Sequence, residues 1–578
     1  MCQSDNDNTS FEAIRSGKLP GSELVIGLVG AVGADLTVVE EHLQDCLEKY
    51  GYSVEGLRVS DLLEDIVDVP DYDVENEYAR INTLMTAGNE ARRASNENAI
   101  LALRAVYEIA SWRETQPWQT NRSLRRPEIK ALMTTGNKTL LAAFRPTSGR
   151  EEEGPTRPRQ AYVIRSLKRP EEVNALRRIY GNGFFLIGVY VAPEQRRENL
   201  IHHSNMAPED ADKLISRDEK ERLLYGQRTR DTFHLSDVFV HLSETDYTAH
   251  AALQRFIDIV FSYPYKTPLF DEYAMFLAFA AATRSADLSR QIGAVIARGT
   301  DILATGANEC PQAAGGTYWP TISCGDVVDS DKGRDYKRGY DSNDLSKNAI
   351  IQDAVEAIKT RFEQEGKLTD EELLRRALES SAVDDITEYG RAVHAEMDAL
   401  LTCARNNISS QDAILYTTTF PCHNCAKHII ASGIRRVVYI EPYPKSKALE
   451  FHDEAVVSGF TEDASGAEDG SRVVFQPFVG IGPRRFFDLF SMTHGSGFPL
   501  ERKDKSTGKI LKFDPENATP RLPMLPWNYL QREGFASSIV KTHLKEKEIE
   551  RDEYCTEEQG EATQSDAGAT EKGDAKGG

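Results

Sequence analysis

The sequence predicts an α/β protein made of two domains. A chain of 578 residues is longer than one ordinary hydrophobic core organises, so two domains with flexible ends are expected. Near its start, a buried strand runs into a glycine-rich turn and then a helix. In its second half, a histidine–cysteine pattern falls on two helices that flank a strand. Strands that alternate with helices in this way are typical of parallel-sheet folds.

The charge balance and the apolar pattern exclude several classes of protein. Asp and Glu number 91 against 69 Lys and Arg, and the formal net charge of -22 argues against a protein that coats nucleic acid, because phosphates would be repelled. No apolar run reaches the ~18–20 residues of a membrane span, and the polar, acidic start does not resemble a signal peptide. Eight scattered cysteines do not make a disulfide framework. We therefore expect a cytoplasmic protein with no membrane partner.

The first domain is predicted over residues 21–262, after a flexible N-terminus (1–20). A buried strand from Leu24 enters a glycine-rich turn, and helix Leu36–Tyr50 follows with apolar residues on one face. Strand Tyr52–Val59 comes next, and this order is the opening of an α/β nucleotide-binding unit. Further strands are predicted at Ala161–Ser166, Phe184–Val191 and Val238–Leu242, helices at Glu171–Tyr180 and Pro193–Leu200, and a loop at 145–160.

The second domain is predicted over residues 263–540, with a polar insertion at 310–390. Pro264 and Pro268 mark the boundary, and beyond Tyr554 no Val, Ile, Leu, Met or aromatic residue occurs, so a disordered acidic tail is expected over 541–578. Helices are predicted at Asp271–Thr283, Ala349–Gln364, Asp370–Glu379, Val393–Cys403 and Cys422–Ser432. Strands are predicted at Gly293–Ala297, Ile302–Thr305, Ala413–Thr418 and Arg436–Ile440.

The pattern His394-Ala395-Glu396 with Pro421-Cys422-His423-Asn424-Cys425 predicts a zinc site. The two cysteines lie on one face of a helix's first turn, where the helix dipole favours thiolates, and His394 supplies a third ligand. Three protein ligands leave tetrahedral Zn²⁺ an open position, as in catalytic sites. Glu396 is placed to shuttle protons. The pattern is the signature of zinc deaminases of cytosine or adenine, and the alternative is a structural zinc with another cysteine as fourth ligand.

Two neighbouring segments supply candidate substrate contacts. Asn308 ends the first predicted hairpin and could bond a sugar hydroxyl or base edge, or merely form the turn. Lys445 and Lys447, with Tyr443, follow a strand end, where ligands bind in open α/β sheets. These three side chains are therefore candidates for the phosphates, and the alternative for the lysines is that they are ordinary solvated side chains.

The chain resembles the deoxycytidylate deaminase family. The segment Thr283–Ile296, which contains Arg290, looks like the opening of that family's domain. A closer resemblance is to two-domain bacterial anti-phage deoxycytidine-nucleotide deaminases, which join a P-loop-kinase-like half to such a deaminase. Its motifs here are Thr419–Ile430, Tyr439–Ser446, Gly480–Phe486, Gly315–Trp319 and Tyr340–Asn343.

The resemblance implies a parallel-sheet first domain and a three-layer α/β/α second domain. It implies Zn²⁺ held by His394, Cys422 and Cys425, Glu396 as proton shuttle and Asn308 on the sugar, with Arg290 also at the substrate. The implied activity is hydrolytic deamination of dCTP, and also of dCMP, which would starve an infecting phage of a DNA precursor. A homo-oligomer and an inhibitory small RNA are implied partners.

The glycine turn departs from a nucleotide-binding P-loop. That motif needs G-x-x-x-x-G-K-[ST], with the lysine on the phosphates, whereas Gly30 and Gly33 are followed here by Ala34 and Asp35. Backbone amides could still form an anion nest, but phosphoryl transfer is not expected. The first domain is therefore interpreted as a regulatory module that senses a nucleotide effector or RNA, and the alternative is a scaffold.

Three rival functions remain open from the sequence. A polynucleotide deaminase would need basic grooves and stacking aromatics. A housekeeping dCMP deaminase would supply thymidylate. A nucleotide- or RNA-responsive regulator would use zinc structurally. Arginine and lysine clusters could contact RNA in that last case, namely Arg122, Arg125 and Arg126, and Arg165, Lys168, Arg169, Arg177 and Arg178.

Overall fold

The computed structural model describes residues 16–73, 75–115, 156–220, 226–243, 246–366, 370–381, 383, 386, 388–443, 445–460, 472–525 and 528–543. The chain divides into two compact units. Unit 1 comprises Met1–Ser236, Val240–Lys266 and Ser491–Gly578, and unit 2 comprises Asp237–Phe239 and Thr267–Phe490. The predicted N-terminal segment 1–15, most of the loop 145–160, the cluster Arg122, Arg125 and Arg126, and the tail 544–578 lie outside the described residues.

Unit 1 alternates strands and helices. Its strands are β1 (Leu24–Gly30), β2 (Ser53–Arg58), β3 (Gln160–Arg165), β4 (Phe184–Tyr190) and β5 (Val238–His241). Its helices are α1 (Leu36–Glu48), α2 (Glu77–Ser95), α3 (Ile100–Thr115), α4 (Pro170–Tyr180), α5 (Pro193–Glu198), α6 (Pro208–Lys220), α7 (Thr229–Phe233) and α8 (Asp246–Val260). Single turns of 3-10 helix at Val59–Asp65 and Gly181–Gly183 and a π-helical turn at Asn199–His203 complete the connections.

The sheet of unit 1 has the strand order β5-β4-β1-β3-β2. Strand β1 pairs in parallel with β3 on one side, with Leu24 opposite Ala161, and with β4 on the other, with Val25 opposite Phe184. Every residue of β1 is buried, because a parallel strand covered by helices on both faces has no solvent side. The continuous apolar runs predicted these strands correctly, and the α/β class with a parallel sheet is confirmed.

The segment from Ser491 onward belongs to unit 1, although the sequence analysis assigned residues up to 540 to the second domain. The reasons are burial of its apolar side chains in the core of unit 1, namely Met524, Tyr529, Ala536 and Val540, and a set of buried polar contacts. The Met524 amide donates to Ser22 Oγ at 2.8 Å, and the Tyr529 hydroxyl bonds the carboxylate of Glu23. Glu533, on a helix over residues 528–543, forms a buried ion pair with Arg113. Such long-range pairing leaves no signal in local periodicity.

Unit 2 contains the second half of the strands and helices. Its strands are β6 (Gly293–Arg298), β7 (Asp301–Ala307), β8 (Thr321–Ser323), β9 (Asp326–Val328), β10 (Ile414–Thr419), β11 (Arg436–Glu441), β12 (Val456–Ser458), β13 (Val473–Pro477) and β14 (Gly480–Ile481). Its helices are α9 (Phe270–Ala282), α10 (Asp335–Arg338), α11 (Ser342–Gln364), α12 (Glu371–Glu379), α13 (Ala395–Arg405), α14 (His423–Ala431), α15 (Ala448–Phe451) and α16 (Phe486–Phe490), and a 3-10 turn lies at Pro483–Arg485.

The sheet of unit 2 has the strand order β12-β13-β11-β10-β6-β7. Strands β12, β13, β11 and β10 are parallel, whereas β6 is antiparallel to both of its neighbours. A Cβ at Gly293 would lie 1.9 Å from the Ala278 carbonyl oxygen of α9, and one at Gly306 would lie 2.1 Å from that of Ala395 in α13. Gly306 pairs with Ala294, the next residue after Gly293, so α9 and α13 cover opposite faces. This gives the three-layer arrangement.

Several elements were not predicted from the sequence, namely helices α2, α3, α6 and α8 and strands β12 and β13. Helix α3 shows the physical cause, because residues 100–106 are all buried. Arg104 within this stretch is buried too, with Asp65 and Glu108 as its partners. A helix that is buried on all sides has no polar stripe facing solvent, so the periodic signal of a surface helix is absent. Among the described residues, no helix is both long enough and apolar enough to cross a membrane.

Candidate metal centre and active site

The three predicted ligands lie at the starts of two helices in unit 2. His394 is the N-cap of α13, and Cys422 is the N-cap of α14, where its sulfur accepts the Cys425 amide at 3.4 Å. Both residues have extended backbone, so their side chains leave the helix ends instead of continuing along the helix faces. The insertion closes on itself just before, since Glu309 bridges Val393. The end of β7 and the start of α13 are therefore adjacent.

The ligand atoms are spaced for one tetrahedral metal ion. His394 Nδ1 lies 3.3 Å from Cys422 Sγ and 3.3 Å from Cys425 Sγ, and all three atoms fall within 4.8 Å of one another. Ligands around tetrahedral zinc with bonds of ~2.0–2.3 Å lie roughly 3.3–3.8 Å apart. The donor set of one nitrogen and two sulfurs also suits zinc, so these residues fit the ion.

A glycine places α13 close to the sheet. The Cβ of any other residue at Gly306 would lie 2.1 Å from the Ala395 carbonyl oxygen and 2.5 Å from the Ala399 nitrogen. Asp398 fixes the register, because its carboxylate accepts the Ala307 amide at 3.2 Å. The N-terminus of α13, and with it His394, is thus positioned by β7.

Glu396 lies beside the ligands without being one of the three. Its side chain is 4% exposed, and Oε2 lies 3.5 Å from Cys425 Sγ. Burial raises the pKa of Glu396, and the nearby histidine only partly opposes this. A raised pKa makes the carboxylate a stronger base, which is the direction that a proton shuttle requires.

The pKa values of the two cysteine thiols are shifted in opposite directions. Hydrogen bonding from Cys425, and then from His394, lowers the pKa of Cys422 to about 4, whereas the same Cys422–Cys425 contact raises the pKa of Cys425. At neutral pH Cys422 is therefore a thiolate, the form that binds zinc. Binding by Cys425 must release its proton, so zinc affinity is coupled to pH.

A cavity of about 330 Å³ opens onto Glu396, His394 and Cys422. Four basic side chains line it, namely Arg290, Lys347, Arg391 and Lys445. Aspartates line it as well, namely Asp287, Asp335, Asp341 and Asp344. The volume lies within the range of small-molecule sites, ~300–1,000 Å³, and the basic residues could receive an anionic group of a ligand.

The predicted substrate residues, apart from Lys447, all reach this cavity. Asn308 is 5% exposed, and its amide is partly used, because Oδ1 accepts the Ile292 amide at 2.7 Å and Nδ2 donates to the Arg290 carbonyl at 2.8 Å. One hydrogen and one lone pair remain for a ligand. The Arg290 guanidinium lies 5.6 Å from the centre of the Tyr443 ring and 3.4 Å from Glu441.

Lys347 and Arg391 were missed as cavity residues by the sequence analysis. Lys347 belongs to α11 of the insertion, whose N-cap Asp341 accepts the amides of Asn343 and Asp344. Arg391 is fixed by Asp335 and by the Gly333 carbonyl at 3.0 Å. The one signal was the family-like segment Tyr340–Asn343, which precedes Lys347 and places the start of α11 at the cavity.

The other cysteines form no second metal site within the part of the chain that the structure describes, where His394, Cys422 and Cys425 are the single group with metal-ligand spacing. Cys310 and Cys403 are buried thiols, whereas Cys324 is exposed. A structural zinc site with a fourth cysteine is therefore not supported by these residues.

The predicted nucleotide loop lies apart from this site, in unit 1. Gly30, Gly33, Ala34 and Asp35 line a different cavity. Asp35 caps α1 by accepting the Thr37 amide at 2.9 Å. Gly33 has φ +87°, and a Cβ there would lie 2.5 Å from the Arg196 carbonyl oxygen. This glycine is therefore required by close packing, whether or not a phosphate binds.

Comparisons with known proteins agree with the site geometry. The family model described as "Cytidine and deoxycytidylate deaminase zinc-binding region" matches residues 269–441, which contain all three ligands and Glu396. The deoxycytidylate deaminase of Enterobacteria phage T4 is 34% identical over 171 residues, or 30% of this chain and 77% of that protein. The chain belongs to the deoxycytidylate deaminase family. It is a hydrolytic deaminase, and its cofactor is zinc.

A second relative by sequence and one solved structure also match this chain. The deoxycytidylate deaminase of Saccharomyces cerevisiae is 28% identical over 180 residues, which is 31% of this chain and 40% of the yeast protein. A solved structure, the dCMP deaminase of cyanophage S-TIM5 in apo form, has 16% identity and a TM-score of 0.19, and the match covers 36% of this chain and 99% of that one.

Two of the basic residues considered for RNA contact donate to backbone carbonyls of the protein. Arg169 is 2% exposed and donates to the Gly226 carbonyl at 2.6 Å. Arg177 donates to the Leu235 carbonyl at 2.5 Å. Burial keeps Arg169 from contacting RNA. Arg177 is only partly buried and has five guanidinium donors, so RNA contact by Arg177 stays a prediction.

Proposed function

We propose that this protein deaminates free deoxycytidine nucleotides, both dCTP and dCMP, to the uracil forms. The observation that carries the proposal is one cavity lined by two kinds of residue. Glu396, His394 and Cys422 line it, and so do Arg290, Lys347, Arg391 and Lys445. A nucleotide with its base at Glu396 and the zinc ligands and its phosphates at the basic residues would use both sets of side chains.

Each residue has a specific task in this proposal. Zinc, when bound, supplies an activated water for attack on the base. Glu396 would take one proton from the attacking water and pass it to N3, and would then take the second from the hydroxyl group added to C4 and pass it to the amine, which leaves as ammonia. Its raised pKa suits both the uptake and the release of these protons. Asn308 holds the sugar with the capacity left over from its backbone bonds, and Arg290, with Lys445 and Tyr443, receives the phosphates.

The cellular role proposed is depletion of deoxycytidine nucleotides as a defence against phage, in the cytoplasm and as a homo-oligomer. These statements rest on the resemblance to two-domain anti-phage deaminases. The parallel sheet of unit 1, with β1 at its centre and the glycine turn after it, supports a P-loop-kinase-like regulatory domain. A housekeeping dCMP deaminase is the second candidate, because the relatives from phage T4 and Saccharomyces cerevisiae are both named deoxycytidylate deaminase.

The test is ammonia release by the zinc-loaded full-length protein from a panel of dCMP, dCTP, CMP, CTP, deoxycytidine and a short single-stranded DNA. We expect turnover of dCTP and dCMP, and none of the DNA. Turnover of dCMP alone favours the housekeeping function, and turnover of the DNA alone overturns the proposal.

A matched pair of lysines tests the phosphate assignment. Lys445 lines the cavity, whereas Lys447, two residues later, lies outside the cavity lining and near Glu450 at 3.8 Å. Lys445→Ala should raise the KM for dCTP about tenfold, the value of one charge-assisted contact of ~1.5 kcal/mol. Lys447→Ala should leave it unchanged. Equal effects of the two substitutions would remove Lys445 from the site.

The defence role is tested in bacterial cells that carry the wild-type protein or Glu396→Ala. Phage plating efficiency and the cellular dCTP pool are measured after infection. Protection together with a falling dCTP pool, both lost in the variant, is the expected result. Protection that survives in Glu396→Ala would show that deamination is not its cause.

A further inference from the structure

Unit 1 contains a cavity of about 370 Å³ that the deaminase reaction does not use. The loops that follow β1, β2 and β3 line it at their carboxyl ends, and α2 closes one side. The carboxyl ends of parallel strands are where open α/β sheets bind ligands. The volume is that of a small-molecule site, ~300–1,000 Å³.

The lining of this cavity is basic, although the chain as a whole is acidic. Five positive side chains line it, namely Arg58, Arg80, Arg92, Arg165 and Lys168. Two carboxylates among the described residues line it, those of Asp35 and Glu77. A local excess of positive charge in a chain of net charge -22 attracts an anion into the cavity.

Four of these five side chains already have a carboxylate partner. Arg92 pairs with Glu172 at 2.7 Å and Arg165 with Glu40 at 2.7 Å. Arg80 Nε bonds Glu77 at 2.6 Å. Lys168 lies 3.3 Å from Asp218. The charges of these four are therefore largely compensated within the protein.

Arg58 is the exception. It ends β2, is half-buried, and makes no side-chain hydrogen bond or ion pair with any residue that the structure describes. Burial and the positive charge of Arg80 lower its pKa, and the carboxylates of Asp61 and Glu77 oppose this shift only in part. None of the described carboxylates lies within ion-pair distance of this guanidinium, and phosphate is the anion whose geometry suits a guanidinium fork.

Two amides of the glycine turn, those of Val32 and Ala34, are already bonded within the protein. The Val32 amide donates to Asp218 Oδ2 at 3.0 Å. The other oxygen of Asp218 accepts from Lys168 at 3.3 Å and from the Thr229 hydroxyl at 3.1 Å. Asp218 is 4% exposed, so a buried carboxylate of the protein itself occupies an amide that a phosphate loop would offer to its ligand.

The rest of the cavity suits a base and a sugar. Apolar side chains line it beyond the arginines, namely Leu63, Ile81, Leu84, Met85 and Leu101. We propose that unit 1 binds a free nucleotide whose phosphates contact Arg58, beside Arg80 and Arg165, and not the glycine turn. This second site goes beyond the deaminase function and does not depend on it.

The test is isothermal titration calorimetry on the zinc-loaded full-length Glu396→Ala protein. The probes are ATP, GTP, UTP, their monophosphates, adenosine and inorganic phosphate. None of them contains cytosine, and the variant lacks the proton shuttle, so the result is independent of deamination. We expect at least one of these nucleotides to bind and its nucleoside or phosphate alone to bind at least about tenfold more weakly.

Two arginines distinguish the site from general attraction of anions. Arg58→Ala should weaken nucleotide binding about 10–100-fold, the range of a charge-assisted contact worth ~1.5–3 kcal/mol. Arg93→Ala is the control, since Arg93 is exposed on α2 and pairs with Glu90. Equal affinities of these two variants, or the absence of binding by every nucleotide, would overturn the proposal.

Two further measurements keep the result interpretable. Without ligand, Arg58→Ala should unfold at about the wild-type temperature, because the side chain makes no hydrogen bond or ion pair with a described residue and the charges of Arg80 and Arg165 oppose those of Asp61 and Glu77. A lower unfolding temperature would instead assign Arg58 a structural role and contradict the proposal. Binding of a short RNA that no free nucleotide displaces would likewise overturn it in favour of an RNA site.

Discussion

The two cavities of this protein have similar volumes but were assembled in different ways. In unit 2, the reactive groups come from two helix starts, and the positions 394, 396, 422 and 425 lie close together in the chain. In unit 1, the basic side chains come from the ends of separate strands and from a helix, at positions 58, 80 and 165. A metal site requires a fixed spacing of ligands, which is visible as a sequence motif. Basic side chains that meet around a cavity from distant parts of the chain form no such motif.

The largest expected effect is the loss of deamination in the cavity of unit 2. Glu396→Ala should lower kcat by about 10²–10⁴-fold or more, because general acid–base help of that size is lost. Zinc content, measured by atomic emission, should stay at the wild-type value, since Glu396 is not one of the three ligands. Near-normal turnover in the variant would mean that another group carries the protons.

How much the sequence predicted follows the same division. His394, Cys422 and Cys425 were predictable because an i, i+3 pair on a helix start and an H-x-E segment are local patterns. The contact of Val32 with Asp218 joins residues 186 positions apart, and no local rule indicates it. From the sequence, the glycine turn after β1 resembles an altered phosphate loop. Only the tertiary structure shows that its Val32 amide binds Asp218.

The fold shows the same limit. Strands β1, β3 and β4 were predicted because a buried parallel strand is a continuous apolar run. The return of the C-terminal segment to unit 1 was not predicted, because it depends on contacts between distant parts of the chain. These contacts are the packing of Met524, Tyr529, Ala536 and Val540 in the core of unit 1 and the ion pair of Glu533 with Arg113.

The second prediction concerns that return, which makes unit 1 discontinuous in sequence. Glu533 and Arg113 have side chains that are each 3% exposed, and Arg113 also pairs with Glu23 at 2.9 Å. Glu533→Ala should lower the free energy of unfolding of unit 1 by about 1.5–3 kcal/mol, because Arg113 loses one charge-assisted hydrogen bond but keeps its buried pair with Glu23.

Hydrogen exchange of unit 1 peptides in mild denaturant measures this loss, with zinc content as a probe of unit 2. Ser538→Ala on the same helix is the control, because Ser538 is exposed and bonds only the Phe535 carbonyl. If both variants retain wild-type protection, the C-terminal helix is not an integral part of unit 1.

The smallest expected effect compares two glycines, one beside each cavity. A Cβ at Gly306 would lie 2.1 Å from the Ala395 carbonyl oxygen, next to the ligand His394, and one at Gly33 would lie 2.5 Å from the Arg196 carbonyl oxygen. Each Gly→Ala substitution should destabilise its own unit by about 1–3 kcal/mol through overpacking, to which strain at the positive φ of Gly33 adds.

Zinc occupancy and deamination should distinguish the two variants. Gly306→Ala displaces the start of α13 and lowers zinc occupancy and deamination, whereas Gly33→Ala leaves both unchanged and lowers only the stability of unit 1. Zinc loss in Gly33→Ala would mean that the two regions are not independent, and unaltered zinc in Gly306→Ala would mean that close packing of α13 does not position His394.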